Sequence, residues 1–165
     1  MIFVPKPLPL YLSLVAAIIL QLIPLPDFVA DARPLWLPMT VLFWNISMPA
    51  HFSIGSAWLV GLLLDLITGS LMGQHALAMI TMSYIGIRLY KQYRLYSILQ
   101  RLLLVFAALL AWQLIDSRLW GLSGHAPTGW HFWLPLISSL VLWTWYQGLL
   151  SWVDDHWRGN LEGKH

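Results

Sequence analysis

Residues 61–79, GLLLDLITGSLMGQHALAM, hold one carboxylate, Asp65, inside an apolar run that is punctuated by glycines. Gly61 precedes Asp65 by four residues, and Gly69 and Gly73 follow at the same spacing. Because four residues slightly exceed one 3.6-residue turn, Gly61 and Asp65 share a helix face, and a small residue there lets a neighbouring helix approach closely. The Thr-Gly-Ser sequence around Gly69 has turn chemistry, so we expect Gly69 to end the helix in a left-handed conformation.

The composition of the whole chain is typical of a membrane protein. Of its 165 residues, 59% are hydrophobic and 10% are charged, and the mean hydropathy is +0.69. A soluble domain carries about 25% charged residues to cover its surface, so we expect lipid to be the main solvent of this chain. The net charge of +2 is too small to indicate nucleic-acid binding. The absence of cysteine excludes disulfides and thiolate metal sites.

Six apolar segments approach the length of about 20 residues that a membrane helix needs. The predicted spans are 8–25, 34–49, 51–68, 71–88, 99–115 and 132–153. The second and third are short, so we expect tilting or local thinning of the bilayer. Backbone groups within a bilayer must be satisfied internally, which excludes open sheets. The predicted fold is an all-α membrane protein, a six-transmembrane-helix bundle in a single domain over residues 1–165.

Basic residues in short loops set the orientation of such a bundle. Four of them crowd the connection between the fourth and fifth spans, with no acidic residue among them: Arg88, Lys91, Arg94 and Arg101. We therefore expect this loop and both termini to be cytoplasmic, in a multi-pass membrane protein. Two roles are open for the loop, because it could serve only topology and lipid headgroup contact or could dock a cytoplasmic partner.

Two roles are also open for Asp65, which lies near the outer end of its span. As a structural group it would accept backbone N–H bonds at the start of the fourth span, or pair with Arg33 or Arg118. As a functional group it would contact a substrate, an ion or a partner. Accumulation in the membrane separates the roles, because a functional carboxylate can be replaced without loss of protein.

No motif indicates an enzyme, a metal site or a cofactor. The six histidines form no HExxH or His-x-x-x-His pattern, and no nucleophile is paired with a base. Ser56 follows a glycine as in membrane serine proteases, but it lacks the second glycine, so we interpret it as a helix-packing residue.

The spacing of the glycines and of Asp65 resembles the signature of the rod shape-determining protein MreD family. The first motif is Gly61-x-x-x-Asp65-Leu66-x-x-Gly69-x-x-x-Gly73-x-x-x-Leu77. The second comprises Gln21-Leu22-Ile23-Pro24-Leu25-Pro26-Asp27 and then Arg33-Pro34-x-Trp36, which opens the second span. A basic loop, a fifth span ending in Asp116 and a tryptophan-rich last span complete a resemblance that extends from Leu8 to Trp157. Leu35 and Pro38 depart from the family pattern near Trp36.

The resemblance implies a non-enzymatic scaffold subunit of the bacterial cell-elongation machinery, without a cofactor, in the bacterial inner (plasma) membrane. Such a protein acts with MreC, a periplasmic scaffold protein anchored by one membrane span, to position lateral peptidoglycan synthesis and maintain rod shape. The wider complex that it implies contains the actin-like MreB, the polymerase RodA and penicillin-binding protein 2, alongside membrane lipids. The fold is expected to be similar to the six-helix substrate-binding component of energy-coupling vitamin transporters.

Eight residues are the candidates for structural or partner contacts: Arg33, Pro34, Trp36, Gly61, Asp65, Gly69, Gly73 and Asp116. Our hypothesis is that three charged members of this set form an outer cluster that holds the second, third and fifth helices together and presents a groove to a partner's span. They are Arg33, Asp65 and Asp116.

One alternative function is a small-molecule-binding membrane subunit of a transporter. In that protein Asp65 would line a cavity with Gln21, Asn45 and His75. The chain has few other polar groups within its apolar segments, which disfavours transport.

Overall fold

The computed structural model of the chain describes residues 8–24, 26, 32–122 and 129–162. Within these residues the elements are α1 (Leu8–Leu22), α2 (Trp36–Ser47), α3 (Ile54–Thr68), α4 (Gln74–Tyr93), α5 (Ile98–Leu122) and α6 (Leu134–Glu162). A short 3-10 turn, Gly129–Phe132, precedes α6. The described ranges contain no strand, so the all-α class is confirmed.

The six helices follow the six predicted spans in order, but their ends differ. Helix α2 begins at Trp36 rather than at residue 34, and Pro34 lies before the helix with its carbonyl accepting the N–H of Trp36. Helices α4, α5 and α6 run on past the predicted limits of 88, 115 and 153. The spans were limited at charged residues, whereas a helix ends where its terminal backbone groups find caps.

Among the described helices, one is long enough and apolar enough to cross a bilayer, judged by length and composition alone. It is α5, in which the 22 residues Ile98–Leu119 include an 18-residue stretch with a mean hydropathy of 2.0. Helices α1 and α3 are apolar but have 15 residues each. At 1.5 Å per residue, 15 residues reach about 22 Å, against about 30 Å of hydrocarbon.

Helix α2 is the centre of the molecule. Ten of its 12 residues are buried, and it contacts α1, α4, α5 and α6. Its polar side chains reach partners on other helices, as in Asn45 Nδ2 donating to Ser83 Oγ at 2.8 Å and Trp44 Nε1 to Ser13 Oγ at 2.8 Å. Helix α2 is therefore enclosed by protein, so the other helices form the outer surface of the described bundle.

Helix α3 packs on α4 through the glycine that the sequence motif predicted. A Cβ atom at Gly61 would lie 2.5 Å from the Ala76 Cα and 2.9 Å from the His75 carbonyl oxygen. Real Cβ atoms do not approach backbone atoms so closely, so only glycine permits this contact. The opposite face of α3 is open, and it exposes Leu59 and Leu66.

Replacing Gly61 with alanine tests this contact. The new methyl group must push α3 and α4 apart, so we expect a loss of stability of about 1–3 kcal/mol, as for overpacking of a core. Thermal unfolding of the purified protein in detergent measures it. Gly55→Ala on the same helix is the matched control, since a Cβ there meets its nearest neighbour, Ser53 Oγ, at 3.7 Å. Equal stability of the two variants would contradict the close packing.

Candidate functional site

Two glycines with positive φ angles shape the turn between α3 and α4. Gly69 ends α3 with φ 65°, and Gly73 precedes α4 with φ 95°. Residues with a Cβ rarely adopt this left-handed region, which explains why glycine occupies both positions. The turn folds the chain back on itself near Ser70, so Asp65 on α3 and His75 on α4 meet across it.

Asp65 caps the N-terminus of α4 through its carboxylate. Its oxygens accept the backbone N–H groups of Gly73 and His75, each at 2.9 Å, and that of Ala76 at 3.4 Å. The first N–H groups of a helix have no intrahelical partner, and a negative charge at this end is favoured by the helix dipole. The side chain of Asp65 is almost fully buried, with the residue 2% exposed. The structure therefore gives this carboxylate an architectural contact.

Two side chains complete the shell of Asp65. Ser70 Oγ donates to Asp65 Oδ1 at 2.8 Å, and His75 Nδ1 lies 2.8 Å from the same oxygen. Gly73 occupies the N-cap position of α4, and Ser70 bonds to the carboxylate. Hydrogen bonds to a charged group are each worth about 1.5–3 kcal/mol, so this cluster fastens α3 to α4.

The same cluster extends to α5 through Asp116. His75 Nε2 lies 3.5 Å from Asp116 Oδ1, and Gln74 Nε2 donates to that oxygen at 2.9 Å. The imidazole of His75 thus lies between two carboxylates on different helices. We name the set Asp65, Ser70, Gln74, His75 and Asp116 the outer network. It joins α3, α4 and α5.

Arg33 lies outside the outer network. Its guanidinium donates to the carbonyl oxygens of Gln21 and Ile23, at the C-terminal end of α1. A cation is favoured at that end because the last carbonyls of a helix lack intrahelical partners. The described residues include no ion pair between Arg33 and either Asp65 or Asp116. The hypothesis of one three-residue cluster across the second, third and fifth helices therefore differs from the geometry.

The Arg-Pro-x-Trp motif attaches the start of α2 to α6 as well as to α1. The N–H of Leu35, next to Pro34, donates to Ser139 Oγ at 2.9 Å. The ring of Trp36 meets Tyr146 edge to face, with centroids 5.5 Å apart. The residues of the two sequence motifs thus join two separate groups of helices at one end of the bundle. One group is α1, α2 and α6, and the other is α3, α4 and α5.

The four basic residues of the predicted cytoplasmic connection lie at the other end. Arg88 and Lys91 belong to the last turns of α4, Arg94 follows the helix, and Arg101 belongs to the first turn of α5. The guanidinium of Arg101 donates from Nε to the Tyr96 carbonyl at 2.9 Å. This arginine therefore closes the connection between the two helices.

Ser70 and Gln74 were absent from the residues selected by sequence, and His75 was selected only in the transporter alternative. A signal for them existed. A tight turn between antiparallel helices brings together residues equally distant from its centre, and Asp65 and His75 are each five residues from Ser70. The contact of Gln74 with Asp116 had no such signal, because it joins positions 42 residues apart.

Comparison with known proteins identifies the family. The family model described as rod shape-determining protein MreD matches residues 4–153. The chain belongs to this family. The rod shape-determining protein MreD of Haemophilus influenzae is 35% identical over 135 residues, which cover 79% of this chain and 81% of the relative. No solved structure matches the chain, so the similarity to vitamin transporter components stays a prediction.

The outer network predicts an order among its carboxylate variants. In Asp65→Asn an amide nitrogen faces backbone donors, so we expect a loss of stability of about 1–3 kcal/mol, the usual cost of leaving a buried partner unsatisfied. Asp116→Asn is the matched control and should cost less, because Asp116 meets side chains that can rotate away. Thermal unfolding in detergent and membrane accumulation measure both. Normal stability of Asp65→Asn with lost cellular activity would contradict an architectural role.

Proposed function

We propose that this protein is a non-enzymatic, multi-pass inner-membrane scaffold subunit of the bacterial cell-elongation machinery. In this role it acts with an MreC-like periplasmic protein to position lateral peptidoglycan synthesis, within a complex that includes RodA, penicillin-binding protein 2 and MreB. The observation that carries the proposal is membership of the rod shape-determining family over residues 4–153, which supports a role in cell shape.

The distribution of side chains supports a multi-pass arrangement of the six helices. Large apolar side chains are exposed along the outer helices, including Leu12 and Val15 on α1, Leu59 on α3, and Val141 and Trp145 on α6. In water so much exposed apolar surface would favour association, whereas in a bilayer it faces lipid. The clustered cations at the α4–α5 connection favour a cytoplasmic location for that end by the positive-inside rule, and in the proposed six-span arrangement both termini would then be cytoplasmic too.

The outer network supports a scaffold more than a carrier. In the transporter alternative Asp65 and His75 would be available to a ligand, but in the structure they bond to each other and to the backbone of α4. Asn45 donates to Ser83 within the core. These groups are engaged in holding helices together. A scaffold needs a rigid arrangement of helix faces, and this is what such contacts provide.

The geometry favours a docking surface for a partner's span that differs from the groove expected from the sequence. Because α2 is enclosed and α4 lies against both α3 and α5, the groove between the second, third and fifth helices is occupied. The open face of α3 is the surface that the outer network holds in place. We place the contact with the single span of the MreC-like partner there, along Leu59, Leu63 and Leu66, which share one face at spacings of four and three residues.

Depletion of the protein in its own bacterium tests the proposed function. We expect rods to become round as the protein is diluted, because wall insertion along the cylinder loses its position. Cell shape is measured by microscopy, with re-expression of the unchanged gene as the control. Cells that stay rod-shaped but require an added nutrient would instead support the transporter subunit.

Photocrosslinking in living cells tests the docking surface. A photoreactive amino acid at Leu63, on the open face of α3, should form a crosslink with the MreC-like protein. The matched position is Leu95 in the basic connection, which is 86% exposed and should give none. Crosslinks from Leu95 alone would place the partner at the cytoplasmic connection and contradict docking on α3.

A further inference from the structure

A cavity of about 420 Å³ lies at the end of the bundle opposite the outer network. It is formed where the end of α2, the end of α4, the start of α5 and the middle of α6 come together. Tyr93, at its wall, is 19 residues from the start of α4, which places the cavity about 30 Å from the outer network at 1.5 Å per residue. This is the level at which the proposed spans meet the cytoplasmic headgroups.

The lining of the cavity carries both signs of charge. Arg94 and Arg101 contribute guanidinium groups, and Asp154 and Asp155 contribute carboxylates from α6. An arginine guanidinium presents several donors that match the oxygens of a phosphate. A carboxylate accepts hydrogen bonds from an ammonium group. The lining therefore fits a group that has a phosphate and a primary ammonium in one molecule.

Side-chain contacts hold the wall of the cavity in place. Tyr93 is 5% exposed; its hydroxyl donates to Gln147 Oε1 at 2.8 Å and accepts from Trp143 Nε1 at 3.2 Å. Arg101 lies over the Tyr93 ring, with its guanidinium carbon 5.4 Å from the centroid. The wall is thus built before any ligand arrives.

A second, less polar cavity of about 220 Å³ adjoins the first. The two share Tyr93, Arg101 and Gln147, and the second continues between α5 and α6 along Ile98, Leu102 and Gly148. Ile98 is largely exposed at the surface that would face lipid, and a Cβ at Gly148 would meet nothing within 4 Å. Arg101 therefore lies between a charged chamber and an apolar groove that leads outward.

We propose that this pair of cavities binds one phosphatidylethanolamine molecule from the cytoplasmic leaflet. Its phosphate contacts Arg94 and Arg101, its ammonium group contacts the exposed carboxylate of Asp155, and an acyl chain follows the groove past Gly148. The inference rests on the multi-pass arrangement of the proposed function, but it does not depend on the role in cell shape.

Other lipids fit the same site less well. The quaternary ammonium of phosphatidylcholine has no N–H to donate to Asp155, and the ring of Tyr93 that could face it is covered by Arg101. Phosphatidylglycerol carries a net negative charge and no cation, so it leaves the Asp155 carboxylate facing a like charge. A soluble ligand has no acyl chain that would occupy the apolar groove. The combination of chamber and groove therefore selects an aminophospholipid.

Native mass spectrometry of the full-length protein in detergent tests the proposal. With an equimolar mixture of phosphatidylethanolamine, phosphatidylglycerol and phosphatidylcholine, we expect one phosphatidylethanolamine to be retained preferentially. Gly148→Leu should reduce its retention by about tenfold or more, equivalent to about 1.4 kcal/mol, because leucine fills the groove without a backbone clash. Gly55→Leu on α3 is the matched control and should retain the lipid. Thermal unfolding verifies that both variants are folded.

Asp155→Asn gives a second readout at an exposed side chain. It should lower the preference for phosphatidylethanolamine over phosphatidylcholine and leave the binding of phosphatidylglycerol unchanged or stronger. Equal retention of all three lipids by the unchanged protein would overturn the proposal, as would a preference for phosphatidylglycerol. Displacement of the bound lipid by soluble phosphoethanolamine at similar concentrations would show a site for a free metabolite and would also overturn it. All these readouts are taken on purified protein, so a failure here is distinguishable from a failure of the role in cell shape.

Discussion

The carboxylate of Asp65 is the constraint on which the rest of the arrangement depends. Away from water the first N–H groups of a helix need a partner from the protein. Asp65 provides it for three of the first amides of α4, at 2.9, 2.9 and 3.4 Å. A buried charge is costly when it is unpaired. Here the cost is offset because the charge and the helix end satisfy each other.

This contact fixes the positions of further elements. Once α3 and the start of α4 are joined, Gly61 permits close packing along the two helices, and His75 and Gln74 are directed towards Asp116 on α5. Arg33 has the corresponding role in the other group of helices, α1, α2 and α6. Its guanidinium binds the backbone carbonyls at the C-terminal end of α1. The buried helix α2 connects the two groups, through Asn45 and Ser83 among other contacts. The resulting bundle has apolar outer faces, as the proposed membrane scaffold requires.

Much of this arrangement was predictable from the sequence because its signals are local. Glycine spacing predicted the packing face at Gly61, and the Thr-Gly-Ser turn predicted a left-handed end for α3 at Gly69, which has φ 65°. The partner of Arg33 was less predictable, because a guanidinium can pair with a carboxylate or with the carbonyls of a helix end. Sequence alone does not state which group is nearer. The ends of α4, α5 and α6 beyond the apolar segments were not predicted. Hydropathy indicates which residues suit a hydrocarbon environment, and it does not indicate where the backbone groups of a helix end are capped.

Amide hydrogen exchange at the start of α4 tests the central claim most directly. First-turn amides of a helix have no intrahelical partner, so they exchange rapidly unless another group accepts their hydrogen bonds. The account predicts that the amides of Gly73 and His75, measured in the full-length protein in detergent, exchange as slowly as amides in the middle of α4. Rapid exchange at both positions, with the middle of α4 still protected, would contradict it.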